Sequence, residues 1–214
     1  HAVLGIKLDN AHIVHKVTII PRGTAGGYAL MLPEEEESFL STKSGLIDRI
    51  TGLLGGRVAE EIIFNEVSTG AHNDFQQATE IARAMVTEYG ISSLGPIQYE
   101  KRSGSVFLGR DYNVDKAFSD TVALEIDTEI KNIINFQYNR AKEVLTKNLD
   151  LVKLIAQTLK DIETLTKEDI YELVETGKLA WWEKKQAKIA AEKIEDETAS
   201  VKEETVVEVE KETE

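Results

Sequence analysis

An apolar stripe with helical spacing is the strongest constraint on how this chain folds. Its members recur every three or four positions, as on the buried face of an amphipathic helix: Leu46, Ile47, Ile50, Leu53, Leu54, Val58, Ile62 and Ile63. Gly55 and Gly56 interrupt the stripe, and each costs a helix about 1 kcal/mol relative to alanine. We therefore expect this helix to pack closely against another backbone at the two glycines, where a side chain would not fit.

Helical spacing returns further along the chain. A second helix is predicted to start near Asn73 and to stop at Gly90. A long third helix is predicted to start after Ser119, a favourable N-cap, and to reach Leu145. Two shorter helices are predicted over 151–160 and 167–175, and Gly177 follows the second of them. The connection over 91–116 contains glycine and proline and is predicted to be irregular.

Two segments before the first helix have strand character. Residues 16–20 and 27–32 are rich in β-branched and apolar side chains, and each is followed by a proline. They indicate a hairpin or two neighbouring strands. The second strand is interpreted either as an edge that pairs with an extended peptide or as an ordinary member of the sheet. The whole pattern predicts a mainly α fold with a small β-sheet, of the α+β class.

Charge divides the chain into a domain and a tail. Of the net charge of −13, the last twenty residues carry −7, from nine acidic residues and two lysines, so the preceding 194 residues carry only −6. We predict a domain over 1–178 and a charged segment over 179–214, helical at first and then a disordered acidic tail. Trp181 and Trp182 are candidates for docking on the domain. This charge balance argues against a nucleic-acid partner.

Composition narrows the chemistry that the chain can perform. It has no cysteine, which excludes disulfides, thiolate metal sites and a cysteine nucleophile, and no apolar run approaches the ~20 residues of a membrane-spanning helix. Asp74 stands where a helix cap or a first-turn acid is expected, and His72 where a surface loop is expected. Glu60 and Glu61 fit a solvated helix face. From the residues alone, these structural interpretations stay open beside functional ones.

Several long motifs occur in order along the chain: TIIPRG at 18–23, GY at 27–28, LP at 32–33, LGGRVAEEIIF at 54–64, STGAHNDFQQATEIARAMV at 68–86, LGP at 94–96 and VFLG at 106–109. In this order they resemble the peptidase domain of the FtsH family, which are membrane-bound, ATP-dependent zinc metalloproteases. The resemblance covers about 1–177. The acidic tail has no counterpart in it.

The resemblance implies a zinc site. In that family, zinc is held by both histidines of an HExxH helix and by a distant aspartate, and the Glu of the motif is the general base. His1 matches the second histidine and Asp74 the aspartate, so these two are the predicted metal ligands. The first histidine and the general-base Glu would precede His1, and no catalytic residue is therefore expected among these 214. Glu60 or Glu61 is the alternative ligand to Asp74, and His72 a candidate for substrate or metal contact.

The resemblance also implies a function. The chain is interpreted as the peptidase portion of an ATP-dependent zinc metalloendopeptidase that degrades membrane and cytosolic proteins at the cytoplasmic side of the cell membrane. Self-association into a hexameric ring, ATP binding by an upstream ATPase domain and membrane anchoring by upstream segments are expected with it. Residues 1–214 alone are expected to be inactive. The alternatives are a non-catalytic assembly or scaffold module and a helical interaction protein recruited through the acidic tail.

Overall fold

The structure is a computed structural model that describes residues 1–23, 26–33, 40–100 and 118–191. Within these ranges the chain forms the following elements: α1 (Ala2–Lys7), β1 (Ile13–Thr18), β2 (Tyr28–Leu32), α2 (Lys43–Phe64), α3 (His72–Thr87), α4 (Asp120–Lys147), α5 (Leu149–Ile162), β3 (Thr164–Thr166) and α6 (Lys167–Thr176). The predicted mainly α fold with a small β-sheet is confirmed. The VFLG motif at 106–109 and the acidic tail over 195–214 lie outside the described residues.

The main hydrophobic core lies where α2, α3 and α4 meet. Its buried side chains come from all three helices: Leu46, Ile50, Leu54, Ala78, Ala82, Met85, Val86, Ile126 and Ile130. The apolar stripe is therefore confirmed as a buried face, except at its end, where Ile63 is 39% exposed. Tyr89 lies within the predicted bounds of the second helix, but in the structure it follows the end of α3 and is exposed.

Caps define where the long helices begin. The Ser119 hydroxyl accepts a hydrogen bond from the Val122 amide at 3.4 Å, which confirms the predicted N-cap of α4. The Thr42 hydroxyl does the same for α2, accepting from the Gly45 amide at 3.1 Å. Each cap satisfies one of the amides that a helix leaves without a partner in its first turn. The long helices therefore start at the positions that their sequences favour.

The sheet is antiparallel, with β1 between β2 and β3. The predicted neighbours β1 and β2 pair from Ile13–Leu32 to Thr18–Tyr28, and the register shifts between Val14 and Lys16, which leaves His15 as the extra residue. The sequence prediction missed β3. It has three residues and lies directly between two helices, so it leaves no alternation pattern to detect.

The short helix α1 fits tightly between the sheet and α2. On the sheet side, a Cβ at Gly5 would lie 2.5 Å from Met31 Cε and 2.6 Å from Val14 Cγ2. On the other side, a Cβ at Gly55 would lie 2.5 Å from Leu4 Cδ1. The close approach predicted for α2 is therefore present. The atoms of α1 that come nearest to α2 belong to side chains more than to the α1 backbone.

The chain divides into two units, His1–Thr166 and a second that begins at Lys167. Within the second unit, Trp181 Nε1 donates a hydrogen bond to Asp169 Oδ1 at 2.8 Å, and the Trp181 and Trp182 rings meet edge to face, with centroids 5.7 Å apart. Trp181 is therefore attached to α6 through Asp169, and Trp182 packs on Trp181. The division at residue 178 stays a prediction.

Among the helices of the described ranges, none combines the length and the apolar composition that a membrane span requires.

Two alanine substitutions in α2 test the close approach. We expect Gly55→Ala to lower the free energy of unfolding by about 1 kcal/mol, because overpacking against Leu4 costs about 1–3 kcal/mol and outweighs a helix gain of about 1 kcal/mol. Gly52→Ala is the matched control, since a Cβ there would meet nothing within 4 Å, and we expect it to stabilise by about 1 kcal/mol. Urea denaturation followed by circular dichroism measures both. Equal stabilisation by the two substitutions would contradict the packing.

Candidate metal centre

The His1 side chain is oriented by the backbone of α2. Its Nδ1 lies 2.8 Å from the carbonyl oxygen of Gly52. A carbonyl oxygen only accepts hydrogen bonds, so Nδ1 carries a proton, and in the neutral imidazole the lone pair is then on Nε2. A histidine that binds a metal through one nitrogen is commonly held through the other in this way. In the neutral His1 ring, Nε2 is thus the nitrogen that is available to a metal ion.

Asp74 lies in the first turn of α3, next to the free nitrogen of His1. Its Oδ2 is 3.6 Å from His1 Nε2, and the two side chains are 26% and 31% exposed. The N-cap of α3 is Ala71, and no side chain caps this end. Capping, the first structural interpretation of Asp74, is therefore not what it does. A first-turn carboxylate is still favoured by the helix dipole.

The spacing of the two side chains suits a shared zinc ion. Nitrogen and oxygen ligands lie about 2.1 Å from zinc, and a tetrahedral angle then separates two of them by about 3.4 Å. The distance from Nε2 to Oδ2 in this structure, 3.6 Å, is close to that value. Glycine at position 56 makes room for the His1 ring, because a Cβ there would lie only 2.8 Å from Nε2 and would collide with it. The residues present fit a zinc ion.

The Glu60 carboxylate binds the segment that connects α2 to α3, ahead of Asp74. Its carboxylate accepts from the Ser68 hydroxyl at 2.5 Å and from the Ser68 amide at 3.3 Å, and these hydrogen bonds, with a smaller contribution from Arg57, lower the pKa of Glu60. Arg57 donates to the Ser68 carbonyl at 2.7 Å and lies over the Phe75 ring. Both side chains of α2 thus hold the start of α3. We assign Glu60 a structural role.

Glu61 is directed to α4. It accepts hydrogen bonds from the Tyr138 hydroxyl at 2.5 Å and from Lys142 Nζ at 2.7 Å. The bond from Lys142, followed by that from Tyr138, lowers the pKa of Glu61. Burial and this same carboxylate raise the pKa of Tyr138 to about 12. Glu61 therefore ties α2 to α4.

His72 lies at the start of α3 and is exposed. With other side chains of α3 it lines a shallow groove of about 380 Å³, whose members are His72, Phe75, Gln76, Thr79, Glu80 and Arg83. Across the described part of the chain, no three His, Cys, Asp or Glu side chains are arranged to hold a metal. Of the five candidate residues, the structure brings His1 and Asp74 together, directs Glu60 and Glu61 to other partners, and places His72 on the groove.

Sequence reasoning missed the partner that orients His1. That partner is the backbone carbonyl of Gly52, and a carbonyl group is common to every residue, so no residue type announces it. The sequence gives only a weak signal for this contact. Gly52 lies four residues before Gly56 and therefore on the same face of α2.

The pattern of peptidase family M41 matches residues 1–173 of the chain. The chain belongs to peptidase family M41. Among curated relatives, the M41 chain is 60% identical over 181 residues to "ATP-dependent zinc metalloprotease FtsH" of Bacillus subtilis (strain 168). The aligned region covers 84% of this chain and 28% of the relative. It is 56% identical over 195 residues to the protein of that name in Acholeplasma laidlawii (strain PG-8A), covering 91% of this chain and 30% of the relative. The M41 chain thus spans less than a third of these relatives.

The pH dependence of stability tests the Glu60 contacts in the M41 chain. Because the pKa of Glu60 is lowered from its ordinary value of 4.5, its contribution to stability is present above that pH and is lost as the pH falls below it. We expect Glu60→Gln to lose less free energy of unfolding on acidification than the wild type does. Urea unfolding at a series of pH values measures this. Glu66→Gln, an exposed acid in the same connection, is the control and should follow the wild-type curve.

Proposed function

We propose that this chain is the zinc-binding part of the peptidase domain of an ATP-dependent zinc metalloendopeptidase, with His1 and Asp74 as two of its zinc ligands. The observation that carries the proposal is the approach of His1 Nε2 to Asp74 Oδ2 at 3.6 Å, with Nδ1 bound to the Gly52 carbonyl. A neutral imidazole nitrogen and a carboxylate oxygen are both preferred zinc ligands. Membership of family M41 supports the same activity.

The role of these residues is to hold and orient. A zinc ion held here would lower the pKa of a water molecule and so prepare that water for attack on a peptide carbonyl. His1 supplies the unprotonated Nε2, and the Gly52 carbonyl keeps that tautomer by accepting a hydrogen bond from Nδ1–H. Asp74 supplies a charged oxygen at the end of α3 where the helix dipole favours it. The general base and the third protein ligand are the Glu and the first His that the family resemblance expects before His1.

Strand β2 is suited to bind an extended peptide. It pairs with β1 on one side and is at the edge of the sheet formed by the described strands. Tyr28, Leu30 and Leu32 of this strand are exposed by 36–41%. Backbone pairing at such an edge gives affinity with little dependence on the peptide sequence. Protein substrates fit this surface.

The remaining parts of the activity follow from the family resemblance. The relatives in Bacillus subtilis and Acholeplasma laidlawii are both named as ATP-dependent zinc metalloproteases. We extend to this chain an upstream ATPase domain, assembly into a hexameric ring and attachment to the cell membrane, with the peptidase domain on the cytoplasmic side. The domain over 1–178, followed by the charged segment, remains the proposed division of this chain.

Replacement of Asp74 tests the zinc site. In the full-length protein, we expect Asp74→Asn to abolish chelator-sensitive peptide hydrolysis and to lower bound zinc well below one ion per chain, because one of three protein ligands is lost. Asp150→Asn is the matched control, since Asp150 is also a first-turn acid, in α5. Zinc content by elemental analysis and peptidase rates measure both. Retention of zinc and activity in Asp74→Asn would reject the assignment.

A second prediction concerns residues 1–214 alone. Without the first His and the Glu, this polypeptide holds two of the expected ligands and no general base, so we expect no zinc-dependent cleavage of an unfolded protein such as casein. The assay compares it with the full-length protein at equal concentration and added zinc. Cleavage that a chelator stops would overturn this expectation.

A further inference from the structure

Asp48 of α2 is a nearly fully buried acid that the proposed zinc chemistry does not use. It is 2% exposed. Arg140 of α4 donates to its Oδ1 from Nη1 at 2.5 Å, and Asn10 donates to Oδ2 from its backbone nitrogen at 2.9 Å and from Nδ2 at 3.3 Å. Both carboxylate oxygens are therefore paired, which is the condition under which a buried charge is tolerated.

Asn10 connects this buried pair to the helix that carries His1. It lies three residues after Lys7, the last residue of α1. The turn between them is hydrogen-bonded, from Leu8 to the Leu4 carbonyl at 3.0 Å and from Ala11 to the Leu8 carbonyl at 3.5 Å. Asn10 is thus joined to the end of α1 through a hydrogen-bonded turn.

Helix α1 is attached to α2 near both of its ends. At its start, His1 donates to the Gly52 carbonyl, and after its end Asn10 donates to Asp48. Asp48 and Gly52 are four residues apart, so they lie on one face of α2, one turn from each other. Helix α1 has only six residues and depends on such contacts for its orientation.

We propose that Asp48, backed by Arg140, is a positioning residue for the zinc site. It fixes the end of α1 and thereby the position of His1 Nε2 relative to Asp74. Without this attachment, α1 stays packed between the sheet and α2, but its end near Asn10 is released, and a small turn of the helix then shifts Nε2. Zinc sites keep their ligand distances within about 0.2 Å, so a small rotation weakens binding. This inference rests on the zinc site proposed above.

The test compares two carboxylates of α2 that each bind a cation of α4. Asp48→Asn removes the charge that pairs with Arg140, and Glu61→Gln removes the charge that pairs with Lys142 without touching α1. Both variants are made in the full-length protein. Zinc affinity is measured by competition with a chromophoric chelator, the ligand geometry by the visible spectrum of the cobalt-substituted protein, and folding by thermal unfolding.

We expect Asp48→Asn to weaken zinc binding about tenfold, the low end of the effect of outer partners on a metal site, and to change the cobalt spectrum. Glu61→Gln should lower the melting temperature and leave zinc affinity within about twofold of wild type. If Asp48→Asn lowers the melting temperature but keeps wild-type zinc affinity and cobalt spectrum, its role is structural only and the inference is overturned.

Two further variants keep the result interpretable. If Asp48→Asn does not fold, Arg140→Lys replaces it, because it keeps the cation but loses the planar guanidinium. Weaker zinc binding in Arg140→Lys supports the inference, and wild-type affinity overturns it. Asp74→Asn, measured in the same series, tests the zinc site itself. If Asp74→Asn retains zinc, the proposed function fails, whatever Asp48→Asn shows.

Discussion

The close contact between α1 and α2 is the constraint on which the candidate site depends. Helices that carry side chains at their contact lie about 8–10 Å apart, and the glycines of α2 remove the side chains that would keep α1 at that distance. A Cβ at Gly55 would collide with Leu4, and one at Gly56 with the His1 ring. This close packing brings the Gly52 carbonyl to 2.8 Å from Nδ1, where it orients the His1 ring.

Apolar packing and polar contacts determine different features of the site. The core formed by α2, α3 and α4 sets which helices are neighbours, but apolar contacts tolerate small shifts along a helix. Polar side chains of α2 prevent such shifts by binding three neighbouring parts of the chain. Asp48 binds Arg140 and Asn10, Glu60 binds the connection at Ser68, and Glu61 binds Tyr138 and Lys142. One helix therefore carries the attachments of α1, α3 and α4.

Sequence reasoning reached the helices of this fold more readily than the arrangement of its site. The stripe from Leu46 and the Ser119 cap are local patterns, and local patterns determine where helices form. Strand β3 has no such pattern, because its three residues are specified by pairing with β1. His1 and Asp74 were predicted through the family motif. Their approach to 3.6 Å joins residues 73 positions apart, and no spacing rule in the sequence contains that distance. Glu60 and Glu61 are adjacent and alike in sequence, and only their partners separate their roles.

The position of the two candidate ligands links metal binding to folding. His1 precedes α1 and Asp74 lies in α3, so an ion held by both would join two helices that α2 otherwise holds separately. Such an ion binds the folded chain and finds no preformed site in the unfolded one, so its binding free energy adds to stability. The same linkage works in reverse. Contacts that keep α1 and α3 in place on α2 raise the affinity for the ion, because they lower the cost of ordering its ligands. In this chain, the packing of α1 and α3 on α2 would therefore set the strength of the proposed metal site.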